Sequence, residues 1–169
     1  ETTALVTNSL LPLMHQPRII EFYGVLVDDD GNEQEELEFI VNPGISIPEE
    51  VTKITGFTDM DVADKPEFNH HLSQVEDIIG RSFNVVAHNL SYDKFVVGCE
   101  FARSGKHIQW PLGQTCTVEA TEWVKGYRLN LSALHEHLFG EPFSGAHRAK
   151  QDVQALKRCF VELKRQGAV

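Results

Sequence analysis

Three stretches of this sequence set a carboxylate where a folded chain could gather it at one point. Glu1 opens Glu1-Thr2-Thr3. Asp93 closes Ala87-His88-Asn89-Leu90-Ser91-Tyr92-Asp93, and Asp152 closes His147-Arg148-Ala149-Lys150-Gln151-Asp152. Carboxylates clustered in a cleft repel one another unless a cation lies between them. Hard divalent cations such as Mg2+ or Mn2+ take oxygen ligands of this kind. Two such cations about 4 Å apart can activate a water and stabilise the leaving oxygen of a phosphodiester. His147 could take the proton from the attacking water, because an imidazole titrating at about 6.5 suits that task near neutral pH. Each residue also has an ordinary reading. Asp93 and Asp152 could cap helices or favour helix N-termini through the macrodipole, and Glu1 could be a solvated terminal residue.

The elements that must position these groups follow from pattern. Residues 1–6 read as the end of a truncated first strand. Residues 18–27 are β-branched and aromatic and predict a buried strand. Residues 28–32 are a turn cluster and 35–41 the returning strand, so 18–41 is a hairpin closed off by Asn42-Pro43-Gly44. A short helix falls within 48–60. A helix over 66–80 is opened by Pro66 and stopped by Gly80, with Leu72, Val75, Ile78 and Ile79 as its apolar stripe. A strand over 83–87 leads into a helix over 91–104 that buries Phe95, Val96, Cys99 and Phe101 and stops at Gly105. A strand over 108–112 and a helix over 115–125 come next. Leu131, Leu134 and Leu138 mark another helix, closed by Gly140. The last helix runs over 148–165, with Val153, Leu156, Phe160 and Leu163 inward. This order predicts an α/β domain with a mixed central sheet.

The 169 residues suit one domain, 1–169, with an ordinary apolar content. No apolar run reaches the roughly 20 residues needed to span a bilayer, so no membrane partner is expected. The cysteines Cys99, Cys116 and Cys159 are odd in number and widely spaced, which argues against a disulfide framework or zinc site and for reduced thiols in a cytoplasmic setting. The net charge of −10 is uneven: residues 1–85 hold 4 basic and 17 acidic residues, and residues 86–169 hold 11 basic and 8 acidic. A protein that coats duplex DNA is usually basic; action at a strand end, with bound cations and a local basic rim, remains compatible. Arg148, Lys150, Lys157 and Arg158 are candidates for that rim or for a plain solvated face. The acidic stretch 28–38 reads as a solvated hairpin tip. His70, His71, His135 and His137 read as surface or helix-face residues, and His88 as a residue that either orients its motif or contacts substrate. Phe57 and Tyr92 are the plausible stacking partners for a base.

Glu1-Thr2-Thr3, His88-Asn89-x-x-Tyr92-Asp93 and His147-x-x-x-x-Asp152 together resemble the three motifs of the DEDDh (DnaQ-like) 3′→5′ exonucleases, most closely the proofreading subunits of bacterial replicative DNA polymerases. Pro17-Arg18-Ile19-Ile20-Glu21, Ile54-Thr55-Gly56-Phe57 and Leu129-Asn130-Leu131-Ser132-Ala133-Leu134 extend the likeness over nearly the whole chain. The resemblance implies a ribonuclease-H-like fold, with a five-stranded mixed sheet flanked by helices. It implies two divalent cations, Mg2+ or Mn2+, with Glu1 and Asp152 on the nucleophile-side ion, Asp93 on the second, and His147 as general base. Thr2, Thr3 and Leu5 would border the 3′-terminal nucleotide, Ile54 and Thr55 would line its base pocket, and Asn89 and Tyr92 would face the terminal sugar and phosphate. The substrate would be a single-stranded DNA 3′ end, the products nucleoside 5′-monophosphates, and the partner a DNA polymerase subunit or domain.

The family's first motif is Asp-x-Glu, whereas this sequence opens at the Glu. The expectation is an N-terminally incomplete copy that is inactive or badly impaired. Ala4 stands where the family often has Gly, and Thr55 where proofreading subunits often have His. Two other functions stay open at this point: an RNA-trimming exoribonuclease of the same family, and a catalytically dead binding or assembly module.

Overall fold

Two strands form because residues 21–27 alternate bulky side chains on an extended backbone and residues 33–40 return beside them. In the computed structural model, which describes residues 1–145 and 147–169, these are β1 (Glu21–Val27) and β2 (Glu33–Ile40). They pair antiparallel from Glu21↔Ile40 to Val27↔Glu33, with a bulge at Leu26/Val27. The turn is an Asx turn: the Asp28 carboxylate accepts from the Asp30 and Asn32 amides at 3.0 and 2.9 Å. Gly31 supplies the positive φ (86°) that lets the chain reverse. The hairpin expected over 18–41 is therefore present.

Both faces of the hairpin are covered. After α1 (Glu49–Thr55) and α2 (Asp59–Val62), one core joins Ile20, Ile47, Val51, Phe57 and Val62. The other face carries Ile19, Phe39 and Val41. These pack on α3 (Leu72–Gly80) and, beyond β3 (Asn84–Ala87), on α4 (Leu90–Arg103), through Leu72, Val75, Val96, Val97 and Phe101. Phe22 stacks on Phe39 with centroids 5.0 Å apart, and Phe68 meets Phe39 edge-on at 5.7 Å. The far end of α4 anchors the approach to β1. The Glu100 carboxylate accepts from the Ile19 amide (3.0 Å), and Arg103 donates to the carbonyls of Leu13, Gln16 and Pro17 at 2.9–3.2 Å.

The remainder is β4 (Gly113–Cys116), α5 (Thr117–Ala120), α6 (Glu122–Lys125), α7 (Leu131–Phe139) and α8 (Ala149–Arg165). Helix α7 starts where the Asn130 side chain accepts from the Ala133 amide (2.8 Å) and ends at Gly140 in the left-handed region (φ 76°). It packs on α8 through Leu129, Leu134, Cys159 and Leu163. Helix α8 also lies against β1. Among the described residues no helix is long and apolar enough to cross a membrane, and the three cysteines are free thiols.

The α/β architecture matches expectation, with differences in detail. The four strands form two ladders, β1–β2 antiparallel and β3–β4 parallel, rather than one five-stranded sheet. Residues 1–3 lie along the outer edge of β1, with a Thr2↔Ile19 bridge, Thr3 N–H to Arg18 carbonyl at 2.8 Å and Ile20 N–H to Glu1 carbonyl at 2.8 Å. The helix predicted over 66–80 begins later. The Pro66 carbonyl is held by the Asn42 amide (2.9 Å), residues 68–71 form a 3-10 turn that buries Phe68, and α3 starts at Leu72. Residues 108–112 are not a strand. Pairing starts at Gly113, where a Cβ would lie 2.5 Å from the Phe83 carbonyl oxygen, so only glycine allows that approach. The helix predicted over 115–125 splits into α5 and α6 at Thr121, whose hydroxyl donates to the Thr117 carbonyl at 2.6 Å. His135 is fully buried in α7 rather than exposed, with its Nδ1 2.8 Å from the Glu141 carbonyl. His71 stacks on Phe39.

Candidate active site

Asp93 and Asp152 occupy the same place on two helices, the fourth residue of α4 and of α8. Each helix is also approached in the same way. Asn89 (φ 76°) precedes α4 and His147 (φ 68°) precedes α8 by two residues, and these are the only non-glycine residues with positive φ among those described. The left-handed region costs such residues roughly 1 kcal/mol or more, so strained backbone sits at both openings of one site. The Asn89 side chain accepts from the Ser91 hydroxyl (3.2 Å). The His147 amide donates to Asp152 Oδ2 (3.3 Å), tying the imidazole-bearing residue to the carboxylate five positions on.

Burial of its surroundings pushes the Asp93 carboxyl up to about 6, and the Glu1 carboxylate adds to that rise. Asp152 is also pushed up to about 6, first by desolvation and next by the Glu1 carboxylate, while His147 pulls it down. Glu1 therefore acts electrostatically on both aspartates, and His147 on Asp152. Among the described residues no three such side chains converge to metal-ligand distance. The donor set still fits a hard divalent cation in kind: all three groups are carboxylates, and two are held above the usual carboxylate range, first by burial and then by the Glu1 charge.

These shifts carry a sign. A carboxyl whose folded pKa exceeds the unfolded value adds stability fully below that unfolded value, and loses it as pH rises through the folded one. For Asp93 and Asp152 the window runs from 3.8 up to about 6. Thermal melts without metal should therefore show Tm declining across this window more steeply in the wild type than in Asp93→Asn. Added Mn2+ should raise Tm at about pH 7 and much less at about pH 5, where protons hold the site. Parallel wild-type and variant curves would contradict the assignment.

The other expected site residues divide. Leu5 and Ile54 are 78 % and 57 % exposed and free to meet a ligand. The Thr2 hydroxyl lies 2.6 Å from the Tyr92 hydroxyl, which also reaches the Ala4 carbonyl (3.1 Å), so Tyr92 straps α4 to residues 2–4. Burial raises the Tyr92 phenol pKa. Thr3 and Thr55 are turned inward, contrary to expectation. Thr3 is 2 % exposed and its hydroxyl accepts from the Arg18 amide; Thr55 is 7 % exposed and donates to the Val51 carbonyl. Phe57, a candidate stacking partner, belongs to the core, with Arg148 4.9 Å above its ring. His88 orients its motif as read: Nε2 donates to the Leu129 carbonyl (3.0 Å), Nδ1 meets the Thr117 hydroxyl (2.9 Å), and burial lowers its pKa.

Arg148, just before α8, and Lys150 and Lys157 within it are paired with acids and so form neither an open rim nor a plain solvated face. Lys150 pairs with Glu36 and Glu38 at 3.2 Å each, Lys157 with Glu33, and Arg148 with Glu21 at 2.9 Å. The acidic hairpin is correspondingly docked on α8. Glu21, which the structure buries against Arg148, was not singled out in the sequence. Its signal was a single acid inside an apolar strand, since a buried charge requires a partner.

A family model described as "Exonuclease" matches residues 1–160. The chain is 28 % identical over 153 residues to the PolC-type DNA polymerase III of Clostridium perfringens, covering 87 % of this chain and 10 % of that protein. It is 27 % identical over 155 residues to the DNA polymerase III subunit epsilon of Aquifex aeolicus, covering 89 % and 73 %. This chain thus spans only about a tenth of the PolC-type relatives. Among solved structures, the nuclease domain of 3′hExo, a DEDDh family member bound to rAMP, superposes with a TM-score of 0.78 at 18 % identity, covering 99 % of this chain and 90 % of that one. Exonuclease X in complex with 5′ overhanging duplex DNA superposes at 0.65 and 24 % identity, covering 88 % and 84 %. The fold is therefore shared with these nucleases, and with the family model matching residues 1–160 the chain belongs to the exonuclease family that the model describes.

Proposed function

We propose that residues 1–169 form one exonuclease domain that trims single-stranded DNA from the 3′ end, releasing nucleoside 5′-monophosphates in a proofreading-like role. The observation that carries this reading is the matched placement of Asp93 and Asp152, each the fourth residue of a helix entered through left-handed backbone, at Asn89 and at His147. Glu1 and Asp152 would hold the nucleophile-side cation and Asp93 the other, with Mg2+ or Mn2+ as the ions. When bound, these cations supply positive charge that favours a hydroxide nucleophile and a charged leaving oxygen. His147 is exposed beside Asp152 and takes the proton of the attacking water. Leu5 and Ile54 offer apolar faces to the terminal base, and Asn89 and the Thr2–Tyr92 pair lie toward its sugar and phosphate. The polymerase III relatives support DNA as substrate and a polymerase subunit or domain as partner, and the free thiols suit the cytoplasm.

A 5′-labelled single-stranded DNA oligonucleotide incubated with Mg2+ or Mn2+ should shorten stepwise from its 3′ end, with a matched RNA oligonucleotide cut more slowly. Absence of shortening with either metal would overturn the reading. Faster cleavage of the RNA would move the substrate class.

A further inference from the structure

Glu21 touches both halves of the site without belonging to it. Its main chain holds Glu1: the Glu1 nitrogen donates to the Glu21 carbonyl (2.7 Å), and the Glu21 amide reaches the Glu1 carbonyl (3.3 Å). Its side chain, 2 % exposed, holds the segment between His147 and Asp152. Arg148 donates to Oε1 through Nη2 (2.9 Å) and Nε (3.2 Å), and the Ala149 amide donates to Oε2 (2.8 Å). Ala149 is the first residue of α8, so the carboxylate also satisfies a helix N–H that has no intrahelical partner. Arg148 is kept in plane by the Phe57 ring 4.9 Å beneath it.

A buried ion pair by itself is weak grounds for stability, because desolvation offsets the attraction. What this one does is geometric. His147 has left-handed backbone, and among the described residues the side-chain bonds that pin residues 147–149 are Asp152 Oδ2 accepting from the His147 amide and this carboxylate accepting one and two residues on. We propose that Glu21 is a positioning residue for hydrolysis, fixing Glu1 relative to His147 and Asp152. The inference rests on the site reading above.

The test is steady-state digestion of a single-stranded oligonucleotide by Glu21→Gln in the intact protein. Glutamine keeps the shape and one acceptor but loses the charge that holds the guanidinium. The expected result is kcat at least about tenfold lower with KM within about twofold, since small misplacements of reacting groups act on turnover. Hydrogen exchange should speed up over 147–152 and not over the β1–β2 hairpin. Wild-type kcat, or equal losses in kcat and affinity, would overturn the proposal. If Glu21→Gln does not fold, Arg148→Gln decides: it keeps the Ala149 bond and should show the same split at smaller size, and wild-type kcat there would overturn the idea. His147→Asn is run alongside. Undiminished turnover in that variant would sink the site reading itself, whereas its loss beside a fully active Glu21→Gln would sink only the positioning role.

Discussion

His147→Asn should lower the rate of nucleotide release by at least about 100-fold while leaving Mn2+ binding unchanged. General-base catalysis by a placed side chain is worth about 100- to 10,000-fold, and asparagine has no ring nitrogen that can accept a proton near neutral pH. Asparagine is chosen over alanine because residue 147 has φ 68° and asparagine tolerates that region. An alanine would add backbone strain and blur the result. Single-turnover release of mononucleotide from a labelled oligonucleotide reads the step directly, and titration calorimetry with Mn2+ reads the site. Turnover near wild type would remove His147 from the mechanism.

The second large effect belongs to Asp152. Asp152→Asn keeps an oxygen for the His147 amide but removes the charge, so the loop can stay in place while the cation loses a ligand. Loss of a supporting group around a metal ligand already costs about 10- to 100-fold in affinity, so loss of the ligand itself should cost at least that much by calorimetry. The wild-type affinity should also fall as pH drops below about 6, where Asp152 and Asp93 take up protons that compete with metal. An unchanged isotherm in Asp152→Asn would reject it as a ligand.

The parts legible in the sequence were those set by local rules. The hairpin was visible from its β-branched run and the Asp-rich turn, α7 from its leucine spacing and Gly140, and the places of Asp93 and Asp152 in helix first turns from the motifs that precede them. The parts that were not legible depend on how side chains pack after folding, in several cases between positions far apart in the chain. Gly113 starts β4 because Phe83 lies against it, which no window around residues 108–112 contains. His135 is buried because the Glu141 carbonyl and the neighbouring Phe139 and Phe143 rings close over it. The lysines of α8 read as a substrate rim or a plain solvated face because their partners, Glu33, Glu36 and Glu38, lie more than a hundred positions earlier. Thr3 and Thr55 matched the family's motif positions, yet their hydroxyls are taken by backbone groups nearby.

The bond between Glu21 and Arg148 closes a loop of 127 positions. Contacts of such separation form late, because the chain between them must first be restrained. On the proposed reading, the site cannot be complete until residues 147–165 have been made and the last helix lies against β1.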